Sequence, residues 1–357
     1  MSDAVEVVPF GTLSEPDASG RRDVALIPLQ SSAITVSILT LGAALRTVEA
    51  PDRTGQRDHI ALHLTELAEI EDRGRNPYLG VTCGRFAGRI AGAAFELDGE
   101  PVPVVPNEGP NQLHGGPDGF DRRIWDVAEV AATDDGGRVV LALTSPAGDQ
   151  GYPGTLDITA TYELHGHVLR ITYDATSDAT TVANLTNHAY WNLAGPAHWD
   201  LDGTIADHEL RLPGERYLPV GDAAIPVGGL APVLGTPHDL RQARLLADVL
   251  PSLPSGIDHA YEVPEGDDEE LLAFDGLRLA AELHHPASGR TLTVATDQPA
   301  VVAYTGNRLG VPFAARAAVC LETQQYPDVV NRPGLGSAVL RHGERYRSTT
   351  ELTFGTR

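Results

Sequence analysis

The strictest constraint on the fold is a recurring two-residue alternation. In Leu156-Asp-Ile-Thr-Ala-Thr-Tyr-Glu-Leu164 apolar side chains occupy every second position, and the pattern returns in Val168–Tyr173, Arg290–Val294 and Glu351–Phe354. Only a strand with one buried face needs that period. Asp98-Gly99, Asp135-Gly-Gly137, His165-Gly166 and Ala287-Ser-Gly289 fall between such runs. These are hairpin turns, because glycine accepts positive φ without steric cost. Residues 33–50 read as two strands broken at Gly42. Helical spacing is confined to Leu64–Ile70 and Leu240–Leu250, the latter with Asp239 as candidate cap and Pro251 as stop. The expectation is an all-β chain, a large antiparallel β-sandwich with few short helices, forming one domain over residues 1–357 with 1–30 as a peripheral N-terminal segment. No fixed period suggests a propeller or solenoid.

Charge narrows the partners. With 26 Lys+Arg against 49 Asp+Glu, the 357-residue chain carries a net charge of −23, which disfavours nucleic acid and anionic membrane surfaces. All the basic residues are arginine, so Schiff-base chemistry, pyridoxal chemistry and Walker-type phosphate loops are excluded, each requiring a lysine amine. Cys83 and Cys320 belong to no metal-type pair and read as buried free thiols of a reducing compartment. The first nine residues lack a basic then apolar leader pattern, and no run of about 18 apolar residues occurs. The expected location is the cytoplasm. The acidic run Glu265–Glu270 reads as a solvated loop tip.

Against this background, Asn184-Leu-Thr-Asn-His-Ala-Tyr-Trp-Asn-Leu-Ala-Gly195 is anomalous. It puts amides and a histidine into a strand-like apolar run, and each buried polar group without a partner costs about 1–3 kcal/mol. A sugar, mostly hydroxyl with an apolar face, could supply such partners. Four further polar islands stand out: Asn76–Ile90, Asn111–Gly116 running into Gly119-Phe-Asp121 and Trp125, Gly256–Tyr261, and Cys320–Asp328. Each also has a plain structural reading. Arg85 and Arg89 can be ion-pair partners or forks for ligand oxygens; His114, before two glycines, can be an exposed loop residue; Asp258-His259 can be a turn with a solvated carboxylate. Glu322 follows the apolar run Ala318–Leu321, where burial would lift its pKa toward that of a general base. His114, His188 and His259 lack metal-ligand spacing, so no metal is expected. A glycosidase pair of Glu322 and Asp258 would depend on their separation. No serine nucleophile elbow or dinucleotide loop is present.

Taken in order, the islands resemble the aldose 1-epimerase family. The pattern runs N-P-Y-x-G…G-R-x-A-x-R-I, N-x-L-H-G-G…G-F-D…W, N-L-T-N-H-x-Y-x-N-L-A-G, G-x-D-H, then L-E-T-Q-x-x-P-D-x-x-N. Gly235–Arg241, Tyr304–Asn307 and Leu340–Tyr346 extend the likeness from about residue 35 to the C-terminus. The resemblance implies a galactose mutarotase-type sandwich that interconverts the α and β anomers of a free aldohexose, such as galactose or glucose, without cofactor or metal. It places the general base on Glu322 and the general acid on His188, with Arg89, His114, Tyr190 and Asp258 holding sugar hydroxyls. Trp191 could stack on the sugar or belong to the core, and Asn184 and Asn187 read as supports for His188. Two positions depart from the pattern: Gly88, where members often carry Asn, and Val302, where many carry Gln. They leave the preferred sugar open. The competing readings are a non-catalytic carbohydrate-binding or sensing protein and an epimerase of a modified aldose. A small-molecule sugar is the expected partner, and the expected assembly is a monomer or homodimer.

Overall fold

The computed structural model describes residues 5–199, 203–221, 223–265 and 276–357. The alternating runs build a nine-stranded antiparallel sheet. Its order is Asp126–Thr133, Gly136–Ser145, Leu156–His165, Val168–Ser177, Arg345–Thr356, Arg290–Thr296, Arg278–His284, Glu209–Arg211 and Arg244–Leu245. Leu156, Ile158, Ala160, Tyr162 and Leu164 point into the core as the alternation requires. The four turn dipeptides and tripeptides close hairpins, His165 pairing Val168 across Gly166 and Thr133 pairing Gly136.

A six-stranded sheet positions the site. Its order is Tyr190–Trp191, Val319–Gln324, Ala300–Tyr304, Asp258–Glu262, Arg216–Leu218 and Ala231–Pro232. Val319, Leu321, Val301 and Ala303 face a core shared with the nine-stranded sheet, so Cys320, Glu322, Gln324, Val302 and Tyr304 turn to the opposite face. A five-stranded sheet runs Val8–Thr12, Asp23–Gln30, Thr35–Leu39, Ala44–Pro51 and Arg57–His59. The break expected at Gly42 is real, with φ of 70° between the third and fourth of these strands. The expectation that residues 1–30 are peripheral does not hold from residue 23 on. Ile27 and Leu29 are fully buried in the main core, because their strand sits inside this sheet.

Helix is scarce, with α-helices at Leu67–Glu71 and Leu246–Val249. The second is shorter than Leu240–Leu250 predicts. Arg244–Leu245 is instead drawn to the sheet edge, pairing with Glu209–Leu210. Asp239 does not cap it; its carboxylate takes a two-pronged contact from Arg241 at 2.8 Å and 2.8 Å. Of the acidic run, residues 266–270 lie outside the described residues.

Candidate active site

All six side chains singled out for sugar chemistry line one cavity of about 270 Å³ on the outer face of the six-stranded sheet. Arg89, His114, His188, Tyr190, Asp258 and Glu322 come from five separate chain segments. Polar groups converging in a concave, partly apolar pocket are the usual form of a small-molecule site.

His188 is held from both sides of its backbone. Its N–H donates to Val81 O at 2.9 Å, and its carbonyl accepts from Gly80 N at 3.0 Å. The neighbouring asparagines brace the same region. Asn187 Nδ2 donates to Gly80 O at 2.7 Å. Asn184 donates to Ala87 O at 3.0 Å and accepts from Gln325 N at 2.9 Å. The run is not one strand: Thr186–Asn187 pairs with Thr82–Cys83, and Tyr190–Trp191 pairs with Val319–Cys320. His188 and Tyr190 nevertheless face the same cavity, their rings stacked at 5.0 Å. The Tyr190 hydroxyl donates to Pro77 O at 3.0 Å, which fixes the ring against His188 in the cavity wall. Trp191 belongs to the core, packed on Phe354 at 5.7 Å.

Glu322 stands opposite, its Oε1 3.6 Å from His188 Nε2. Both are almost wholly buried, at 3% and 4% exposure. Burial disfavours the charged form of each in opposite directions. It pushes the Glu322 carboxyl up to about 8, with Asp258 adding and Arg89 opposing, and it brings the His188 imidazole down to about 4. At neutral pH the pair therefore shares one proton, which rests on Glu322. The remaining nitrogen of His188, Nδ1, lies 3.6 Å from Cys320 Sγ.

His114 has a fixed tautomer. Gly88 N–H donates to its Nδ1 at 3.1 Å, and burial, with His188 and Arg89 nearby, holds the ring well below its ordinary pKa and so neutral. The proton must then sit on Nε2, a donor. His114 adopts φ of 50°, and at the following Gly115 a Cβ would lie 1.9 Å from Gly84 O, so only glycine fits. His114, His188 and Glu322 place donor atoms within 4.8 Å of one another. A metal there would have to displace the Gly88 contact or the Nε2 proton, and the trio fits a hydroxylated ligand better.

Arg89 is an ion-pair partner at the cavity wall. Its Nε and Nη2 bind Glu108 at 2.6 Å and 2.9 Å, leaving Nη1 without a partner among the described residues. Asp258 is no solvated turn. It begins the Asp258–Glu262 strand, pairs with Tyr304 and is half-buried; burial raises its pKa while Arg89 and Arg308 oppose. Arg85 is structural, buried at 2% exposure and bonded to the carbonyls of Ser145, Pro153 and Gly154. Sequence reasoning missed Glu108, Tyr78, Arg73, Arg308 and Gln324, which also line the cavity. Two of these carried a signal: Tyr78 stands in the Asn76–Ile90 island, and Gln324 lies two residues beyond Glu322 on one strand face.

The comparisons with known proteins agree with one another. The family model described as aldose 1-epimerase matches residues 25–353. The chain is 38% identical to the galactose mutarotase of Homo sapiens, covering 94% of this chain and 95% of that protein. It is 34% identical to the aldose 1-epimerase of Escherichia coli K12, covering 92% and 94%. Among solved structures, galactose 1-epimerase from Lactobacillus acidophilus superposes with a TM-score of 0.81 at 28% identity, covering 99% of each chain. An aldose epimerase homologue from C. elegans gives 0.81 at 25% identity with the same coverage.

Proposed function

The chain belongs to the aldose 1-epimerase family and interconverts the anomers of a free aldohexose, and we propose that Glu322 is its general base and His188 its general acid. One observation carries this assignment: a carboxyl and an imidazole 3.6 Å apart, both buried, in a partly apolar cavity that also holds Arg89, His114 and Asp258. In the resting pair the shared proton lies on Glu322. A bound sugar reverses that preference, because a C1 hydroxyl donating to Glu322 favours its carboxylate and a ring oxygen accepting from His188 Nε2 favours the imidazolium.

The reaction then needs only these two groups. Glu322 takes the proton of the C1 hydroxyl, C1=O forms as the C1–O5 bond breaks, and O5 takes the Nε2 proton of His188. Rotation about C1–C2 presents the other carbonyl face. O5 then attacks C1 as its proton returns to His188, and Glu322 reprotonates the carbonyl oxygen. No external electron sink is involved. The Nε2–H of His114 and the free Nη1 of Arg89 donate to sugar oxygens, and Asp258 accepts from a distal hydroxyl.

Glu322→Gln keeps the shape and removes the base. Polarimetry on fresh α-glucose and α-galactose should show a loss of roughly 10²-fold or more in kcat, with sugar binding retained by calorimetry. Full activity in that variant would remove Glu322 from the mechanism. The accompanying reading is one sandwich unit over the whole chain, acting in the cytoplasm as a monomer or homodimer. Both cysteines are buried and free, as a reducing compartment would leave them, and no described helix is long and apolar enough to cross a membrane.

A further inference from the structure

Gln324 is the one cavity-lining side chain whose amide oxygen and nitrogen are both buried and without a partner among the described residues. The residue is 1% exposed, and leaving both ends of an amide unpaired is costly, so something that donates and accepts must complete it. Space for that group exists beside it. Gly88 has φ of 77°, and a Cβ there would lie 3.3 Å from Gln324 Nε2 and 3.5 Å from Pro327 Cβ, so the missing side chain opens the wall over the amide.

Its place on the strand says which part of the sugar it meets. Cys320, Glu322 and Gln324 alternate with Leu321 and Thr323, so they share the cavity face. His188 lies over the Cys320–Glu322 interval, touching both at 3.6 Å. Gln324 lies about 7 Å beyond Glu322, on the side away from His188. With the C1 hydroxyl on Glu322 and the ring oxygen toward His188, the ring atom on the other side of C1 is C2. We propose that Gln324 and the opening over Gly88 form a subsite for the C2 substituent, which binds a hydroxyl through the amide and has room for an acetamido group. This rests on the assignment of Glu322 and His188 made above.

The test is a ratio, which general damage to the fold does not move. In the wild type, kcat/KM above the spontaneous rate should be roughly tenfold or more higher for glucose than for 2-deoxyglucose, since the deoxy sugar leaves the amide unpaired. Gln324→Leu should bring the two within about twofold while leaving the ratio of galactose to 6-deoxygalactose unchanged. Gly88→Asn, a residue that tolerates positive φ, should fill the opening and lower the rate on 2-acetamido-2-deoxyglucose more than on glucose. An unchanged glucose to 2-deoxyglucose ratio in Gln324→Leu, or equal losses on all sugars in both variants, overturns the subsite. Wild-type acceleration with the same ratio leaves the Glu322–His188 reading standing; loss of all acceleration in the wild type would remove that reading and the subsite together.

Discussion

A carboxyl and an imidazole this close titrate as a unit, and the productive form is the one holding a single proton. Burial raises Glu322 to about 8 and lowers His188 to about 4. Below the lower value both are protonated and no base remains; above the upper value neither is protonated and no acid remains. The plot of kcat/KM against pH should therefore be bell-shaped, with limbs near about 4 and about 8 and a broad plateau between. Initial rates by polarimetry, corrected at each pH for spontaneous mutarotation, measure it. A rate still rising through pH 9 would show that Glu322 does not set the alkaline limb. Tyr78, His114, Tyr190 and Cys320 also face His188. None of them is a carboxylate, so Glu322 is the one neighbour among these able to stabilise the imidazolium by opposite charge.

At the scale of elements, the site is a matter of how short segments are braced. Asn184 ties its own run to Ala87 and to Gln325 through one buried and one half-buried side-chain hydrogen bond, joining the segments that carry His188, Arg89 and Glu322. Asn184→Ala leaves the buried Ala87 carbonyl and the half-buried Gln325 N–H unpaired and should cost about 1–3 kcal/mol, read from the midpoint of urea unfolding. It should also lower kcat/KM, since the Glu322 segment loses its side-chain tie to the run of His188, while the backbone bonds of residue 184 to Arg85 and Ala87 remain. A shift under about 0.5 kcal/mol would mean the segments hold one another without it. The same elements explain what could be read from sequence. Strands with one core face, such as Leu156–His165, declare themselves by alternation, and Glu322 was marked by the apolar run before it. The run around His188 hid its break into two two-residue pairings, because each pairing is fixed by a distant partner, Thr82–Cys83 or Val319–Cys320. Glu108 was unreadable for the same reason. It is an ordinary loop carboxylate until folding brings Arg89 to within 2.6 Å. Trp191, next to Tyr190, could face sugar or core, and only the pairing with Val319 on the neighbouring strand turns it inward.

Across the whole molecule, charge is the dominant imbalance. Asp and Glu number 49 against 26 basic residues, so pairing every arginine with one acid would still leave 49 − 26 = 23 carboxyl groups unmatched. Many arginines are already paired on the surface, as in Arg341–Asp98 at 2.6 Å and Arg345–Asp174 at 2.7 Å. Exposed pairs of this kind contribute about 0–1 kcal/mol each. Added salt weakens them, but it also screens the repulsion among the surplus acids, since the screening length falls from about 10 Å at 0.1 M to about 3 Å at 1 M. Repulsion is the larger quantity here, because the excess survives complete pairing. Raising sodium chloride from 0.05 to 0.5 M should therefore increase Tm by a few degrees, roughly the scale of 1–2 kcal/mol for a chain of this size. Calorimetry at pH 7.5 reads it directly. A Tm that falls over the same range would mean that the ion pairs outweigh the excess charge. The catalytic rate on neutral glucose should change little across that range, since an uncharged substrate feels no long-range field to be screened.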